Sequence, residues 1–358
     1  MITNNAKITS DGAILMGKLF CADGMVYDDK RKFFAISHMH SDHANVIKKC
    51  LYNGTVFMTP WTAKLLEAVY DDNYSDKTTK EVTGRKNIKI LEYGQSKEIE
   101  HDGIKETITF YRSNHNLGAS QIEIKTQDGF NIVYSGDVQR EDKPPKNIET
   151  LVVDSTHGHP RYSKYNEEAS DEKKLLDTIT QVLNGETPRS VVVHGHEGKL
   201  QEVMALISNH SALDQFSFFA SEKDIRIANV YREEEDFKKI RKKILPSEDY
   251  AVEEWISNEA NDPCIEFTAA CGKRTYEKRG KAFSVIMTDR CDQYTHETSD
   301  GNTLILITNA HASHEELLEY VKNAKANEVI VDCYRSKQGI HFVNMLKKNT
   351  IKAYGQPK

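Results

Sequence analysis

The apolar run Phe33-Phe34-Ala35-Ile36 leads straight into His38-Met39-His40-Ser41-Asp42-His43, and no other stretch of the chain restricts its fold as tightly. A short apolar run of this kind predicts a buried strand. At an extended strand end, residues i and i+2 point the same way, so His38 and His40 can meet one ion. If the chain turns into a helix near Asp42, that carboxylate and His43 can face a second ion about 3.5–4 Å from the first. Imidazoles mixed with carboxylates suit zinc, with manganese and iron as weaker matches. A strand that delivers such residues into a turn is where a site belongs in an α/β protein.

A two-ion site needs further donors, and two candidates stand at later strand ends. His115 lies in Ser113-Asn114-His115-Asn116-Leu117-Gly118, and Asp137 directly follows Tyr134-Ser135-Gly136. A carboxylate at position 137 can bridge two ions. Either residue alone would be an ordinary loop histidine or turn aspartate; the first cluster gives them their meaning.

Strands are expected at 32–37, 55–59, 87–93, 106–112, 121–125, 131–135 and 151–154, with helices at 44–51 and 60–70. From about residue 156 the rhythm becomes helix 167–183, strand 190–194, helix 199–209, strand 215–220 and helix 223–230, which implies a small parallel sheet. The charged stretch 232–254 reads as a solvated helix. A last block follows: strand 303–308, helix 314–324, strand 328–333 and helix 339–348. At 358 residues the chain exceeds what one core usually holds. The expected organisation is one α/β domain (1–156 and 303–358) interrupted by another (157–302).

No run approaches the ~18–20 apolar residues of a membrane span, and the N-terminus lacks the pattern of a secretory signal. The six cysteines are scattered without a Cys-x-x-Cys pair, which argues against a disulfide framework. Together these predict a cytoplasmic protein, or a nuclear one if the source is eukaryotic, with no membrane partner. The net charge of −6 does not favour a polyanion; bound divalent ions would offset it locally.

His38-x-His40-x-Asp42-His43, then His115, then Ser135-Gly136-Asp137 resembles the metallo-β-lactamase superfamily over the first 155 or so residues. The resemblance implies an αββα sandwich with two metals at one sheet edge. Carried over, His38, His40, His115 and Asp137 would hold the first ion, and Asp42, His43, Asp137 and a late histidine the second. The segment Thr308-Asn309-Ala310-His311-Ala312-Ser313-His314 is similar to an element of the β-CASP nucleases, a branch with an inserted α/β domain, and makes His311 that histidine. Leu151-Val152-Val153-Asp154-Ser155-Thr156 resembles their acidic motif, with Asp154 supporting the site. The region around His38 and the segment Phe20-Cys21-Ala22-Asp23 resemble the Artemis-like DNA cross-link-repair nucleases, with Asp23 orienting a ligand histidine.

RNA-processing members end their last strand in a metal-site histidine, whereas this chain has Asp332-Cys333, so the resemblance favours DNA over RNA. It implies two divalent ions, zinc or else manganese, and phosphodiester hydrolysis by a metal-bound hydroxide, with Asp42 and His311 as catalytic residues. An RNA exo- or endonuclease and a small-molecule metallohydrolase are the competing expectations. Gly195, Gly198 and Lys199, before a helix, are the candidate phosphate contacts. Arg335 and Lys337 are candidates to face the cleft, and Lys273, Arg274, Lys278, Arg279 and Lys281, with Tyr276, form a basic stretch able to track a nucleic-acid backbone.

Overall fold

Three short strands, β1 (Ala6–Ile8), β2 (Ile14–Met16) and β3 (Phe20–Ala22), pair antiparallel; β4 (Phe33–Ala35), β5 (Thr55–Met58) and β6 (Ile88–Ile90) extend the same sheet in parallel. Helices α1 (Ser41–Ala44) and α2 (Ile47–Asn53) connect β4 to β5, and α3 (Pro60–Tyr70) follows with proline at its first position, where a missing N–H costs nothing. This computed structural model describes residues 5–28, 30–70, 86–163, 172–234, 243–247, 262–269, 282–288, 302–307 and 310–357.

A second sheet begins with the meander β7 (Ser96–His101), β8 (Ile104–Arg112), β9 (Ser120–Thr126) and β10 (Asn131–Tyr134), after which β11 (Thr150–Val153) pairs parallel to β10. The chain then leaves for a separate unit, Glu167–Ala310. That unit holds α4 (Glu172–Asn184), β12 (Val191–His194), α5 (Lys199–Ser208), β13 (Ser217–Ala220), α6 (Glu222–Glu233), β14 (Ile244–Pro246), β15 (Cys264–Thr268), β16 (Phe283–Thr288) and β17 (Thr303–Ile307). Among the described residues its strands pair in parallel, in the order β14-β13-β15-β12-β16-β17. Leu175, Ile179 and Leu183, spaced four apart on α4, join Leu200, Met204 and Ile207 of α5 against Val191, Val193 and Phe267; the alternate Val192 faces Phe219 and Cys264 instead.

Two expectations are corrected here. Residues 303–307 pair with β16 rather than returning to the first unit, because Leu304 and Leu306 complete the inserted core. Within 232–254, read as a solvated helix, residues 244–246 form strand β14, with Ile244 buried; the adjoining 235–242 and 248–261 lie outside the described residues.

The first unit, Met1–Asn166 and His311–Lys358, is completed by α7 (His314–Ala324), β18 (Glu328–Asp332), α8 (Gly339–Lys348) and β19 (Ala353–Gln356). Ser313 and Glu316 form a reciprocal capping box that starts α7. The second sheet then runs β19-β18-β11-β10-β9-β8-β7. Its two faces differ with period two. Ile132, Tyr134, Val152 and Ile330 pack with Phe20, Phe57, Ile108 and Phe110, residues of both sheets. Val133, Leu151, Val153, Val329 and Val331 pack with Leu317, Val321, Phe342 and Leu346 of α7 and α8. Each such side chain contributes about 1.5–3 kcal/mol by leaving water. The result is a two-sheet sandwich with helices on the outer face of the second sheet, of mixed α/β class.

Candidate metal centre

β3 and β4 run parallel in the first sheet, and β10 and β11 run parallel in the second; all four end at the same place. Carboxyl ends of parallel strands are where α/β proteins build sites. After β4 the chain bends at Met39 and is extended again at His40, which precedes α1 with φ −61° and ψ 146°. The two rings still meet, His38 Nε2 lying 3.1 Å from His40 Nδ1. The helical turn that follows is closed by His43 and Ala44 N–H groups donating to His40 O, and it brings Asp42 and His43 round. The two sheets are joined at this edge by Ser120, whose N–H and hydroxyl both donate to Ser37 O. Gly136 lies over the same joint at φ +57°, and a Cβ there would sit 2.7 Å from Ser120 O, so the turn before Asp137 requires glycine.

His115 arrives on the loop between β8 and β9. Ser113 Oγ donates to Asp137 O at 2.9 Å, or to Asp142 Oδ2 at 2.8 Å. Asp142 also accepts from the backbone N–H groups of Asn114 and Gln139. One carboxylate thus ties the His115 loop to the Asp137 loop. Asp142 was not singled out in the sequence, because an aspartate in a charged turn carries no local signature of what it holds.

The donor atoms converge. His40 Nδ1 lies 3.1 Å from both His38 Nε2 and His115 Nε2. Asp137 Oδ2 is 3.6 Å from His38 Nε2 and 3.4 Å from His115 Nε2. Around a tetrahedral zinc with bonds of 2.0–2.2 Å, ligand atoms sit about 3.3–3.6 Å apart, close to the separations of these four, which fit one ion. The other oxygen, Asp137 Oδ1, is 3.3 Å from His43 Nε2, which is 3.5 Å from Asp42 Oδ2. His311 Nδ1 enters on the Oδ2 side, 3.9 Å from Asp137 and 3.5 Å from Asp154 Oδ2. Buried groups able to hold an ion are thus His38–His40–His115–Asp137 and Asp137–Asp154–His311, besides Asp23–His38–His43.

Asp23 governs the tautomers. Its Oδ2 accepts from His43 Nδ1 at 2.7 Å and from the Ser37 hydroxyl, and its Oδ1 accepts from Ser37 N–H. With its proton given to Asp23, Ser37 Oγ accepts from His38 Nδ1 at 2.9 Å. Both imidazoles then keep Nε2 lone pairs for an ion. At His40, Asn116 Nδ2 lies 3.5 Å from Nε2 while the buried Asn116 Oδ1 has no partner among the described residues; exchanging the two amide atoms gives Oδ1 the imidazole N–H and leaves Nδ1 to the ion.

Charge follows the same plan. Burial, then the neighbouring His43, pushes His38 well below the ordinary imidazole range. Burial alone would lower His43 too, but the Asp137 and Asp23 carboxylates hold it well above. Asp137 resists burial because His43, His115 and His38 keep it well below the usual carboxylate range. At Asp42, desolvation is outweighed by the hydrogen bond and charge of His43, leaving the carboxyl at about 2. A proton on His43 competes with an ion for the same lone pair, so binding releases it.

Other candidates resolve differently. Asp154 is nearly buried, with Thr156 N–H and hydroxyl on Oδ1. Cys333 Sγ fills the space between two glycines: a Cβ on Gly339 or Gly355 would lie 2.7 or 2.6 Å from it, and burial raises its pKa, so it packs rather than ligates. Asp332 accepts from Tyr334 N–H, Arg335 N–H and the Arg335 guanidinium. In the inserted unit, Gly198 opens α5 at φ +91°; its N–H donates to Gln201 Oε1 and Lys199 Nζ to Glu202 Oε2, so these two donors meet the chain's own acceptors instead of standing open to phosphate. Gly195 N–H donates to Thr268 O. The basic stretch Lys273, Arg274, Tyr276, Lys278, Arg279 and Lys281 lies outside the described residues. No helix among those residues is long and apolar enough to cross a membrane.

No family model matches the chain. Among curated proteins, an uncharacterized protein in the lig 3′ region of Acidianus ambivalens is 27% identical over 124 residues, covering 33% of this chain and 79% of that protein. Among solved structures, the crystal structure of a protein of unknown function from Enterococcus faecalis V583 matches with a TM-score of 0.51 and 13% identity, over 86% of this chain and 77% of that one. The second likeness is one of fold. What the residues converge on is a buried histidine–aspartate centre able to hold metal.

Proposed function

We propose that the chain is a metal-dependent nuclease that hydrolyses phosphodiester bonds, of the β-CASP type on a metallo-β-lactamase αββα sandwich, with DNA preferred over RNA. The observation that carries the reading is Asp137: one oxygen faces His38 and His115 and the other faces His43, all at 3.3–3.6 Å. A carboxylate so flanked fits between two ions, and a two-ion centre suits in-line displacement at phosphorus. The two-sheet sandwich with outer helices, interrupted by Glu167–Ala310, supports the fold assignment. Packing of Cys333, where RNA-processing members carry a ligand histidine, supports DNA.

Zinc, when bound, lowers the pKa of coordinated water toward ~7 and neutralises phosphate charge. The chain's own residues do the rest. Asp23 and Ser37 hold His38 and His43 in the ligating tautomer. Asp42, ionised at neutral pH and with its side chain 63% exposed, accepts a proton at Oδ2. Asp154 Oδ2 and His311 Nδ1, 3.5 Å apart, would face an ion together with Asp137.

The test is cleavage of matched 5′-labelled single-stranded DNA and RNA with zinc, with manganese and with chelator. DNA cleavage that needs metal and exceeds RNA cleavage is expected. Faster RNA cleavage would give the RNA-processing reading instead; turnover of a thioester but of neither nucleic acid would overturn the nuclease.

A further inference from the structure

Arg335, a sequence candidate for the cleft, is spent on the backbone of the metal centre. Its Nη2 donates to Asp23 O at 2.7 Å and its Nε to Asp42 O at 3.3 Å, across 312 and 293 positions of chain. Its Nη1 donates to Asp332 Oδ2 at 2.8 Å, and this pair is almost wholly buried, at 7% and 3% side-chain exposure. Asp332 also caps the turn after β18 through Tyr334 and Arg335 N–H. The guanidinium therefore joins the turn after β18 to the two segments that carry Asp23, which orients His43, and Asp42, which lies beside it.

We propose that Arg335 is a positioning residue that latches the Asp42–His43 half of the metal centre, so that its loss weakens the second ion and spares the first. The inference rests on the two-ion reading above. Selectivity follows from what else holds each half. His115 and Asp137 are tied by Ser113 and Asp142, and Ser37, next to His38, by Ser120. The four-residue helix carrying Asp42 and His43 has no side-chain cap; Asp23 and Tyr134 hold the His43 ring, while Arg335 holds the backbone at Asp42 and at Asp23. Only a planar fork reaches three acceptors in three directions; the compact ammonium of lysine does not.

Zinc titration of the full chain with a competing chromophoric chelator, alongside elemental analysis and circular dichroism, tests this. Wild type is expected to bind two equivalents. Arg335→Lys, which keeps the buried charge opposite Asp332, is expected to fold, hold one equivalent as tightly as wild type, and bind the second about 10–100-fold more weakly. Two equivalents at wild-type affinity in the folded variant would overturn the latch. If Arg335→Lys does not fold, Arg335→Met with Asp332→Asn removes both charges and is held to the same two results. Fewer than two equivalents in wild type would overturn the two-ion reading, and this role with it.

Discussion

Asp23 sits at φ +45°, a conformation that aspartate tolerates better than most side chains, and from there it sets the proton position on two imidazoles. Asp23→Asn should leave the fold intact and lower metal affinity about 10–100-fold, read by chelator competition; unchanged affinity would mean that the tautomers are set elsewhere. Asp42→Asn should lower kcat for DNA cleavage by about 10²–10⁴-fold if that carboxylate moves the proton, measured under saturating zinc. A third residue acts through stability. His314 is fully buried, and burial lowers its pKa from 6.5. Its folded value lies below its unfolded one, so the unfolded chain gains a proton first as pH falls below 6.5 and stability drops from there. Urea midpoints of the metal-free chain should fall from pH 7 to pH 5, and less steeply in His314→Gln. His38, His40, His115 and Asp137, which meet in one group able to hold an ion, stand at strand ends or at an i, i+2 spacing, which are local facts of the sequence; His311 was singled out only through a family resemblance. Asp142, Ser37 and the backbone role of Arg335 were not legible, since each acts on a segment remote in sequence or through an unremarkable side chain.

At the scale of elements, strong periodicity was readable and weak periodicity was not. Helices Pro60–Tyr70, His314–Ala324 and Gly339–Lys348 stand where the sequence puts them, having a proline start, a capping box and clear apolar faces. β7, Ser-Lys-Glu-Ile-Glu-His, escapes notice because it is an exposed, charged edge strand, the form edges take to avoid pairing with other chains. β1, β2 and β3 have three residues each, too few to show a period, and β17 reads the same whichever sheet it joins. The turn after β10 is the element most sensitive to change. Gly136→Ala combines a positive φ with a Cβ 2.7 Å from Ser120 O and should cost about 1–3 kcal/mol and lower the zinc content. Urea unfolding with an unchanged slope checks the first; a wild-type midpoint would show that the turn relaxes without strain.

For the whole molecule, two compact units with separate cores predict two unfolding transitions. The candidate ligands all belong to the first unit, so zinc at a hundredfold excess over its dissociation constant should raise only one of them, by about 2.7 kcal/mol per site; calorimetry with and without zinc reads this. The claim on which everything else depends is that His38, His40, His115 and Asp137 surround an ion. Anomalous diffraction at the zinc edge from zinc-loaded crystals tests it most directly. The account predicts one peak about 2.0–2.2 Å from His38 Nε2, His40 Nδ1, His115 Nε2 and Asp137 Oδ2, and a second on the Oδ1 side of Asp137. Zinc-loaded crystals with no peak among these four atoms would contradict it.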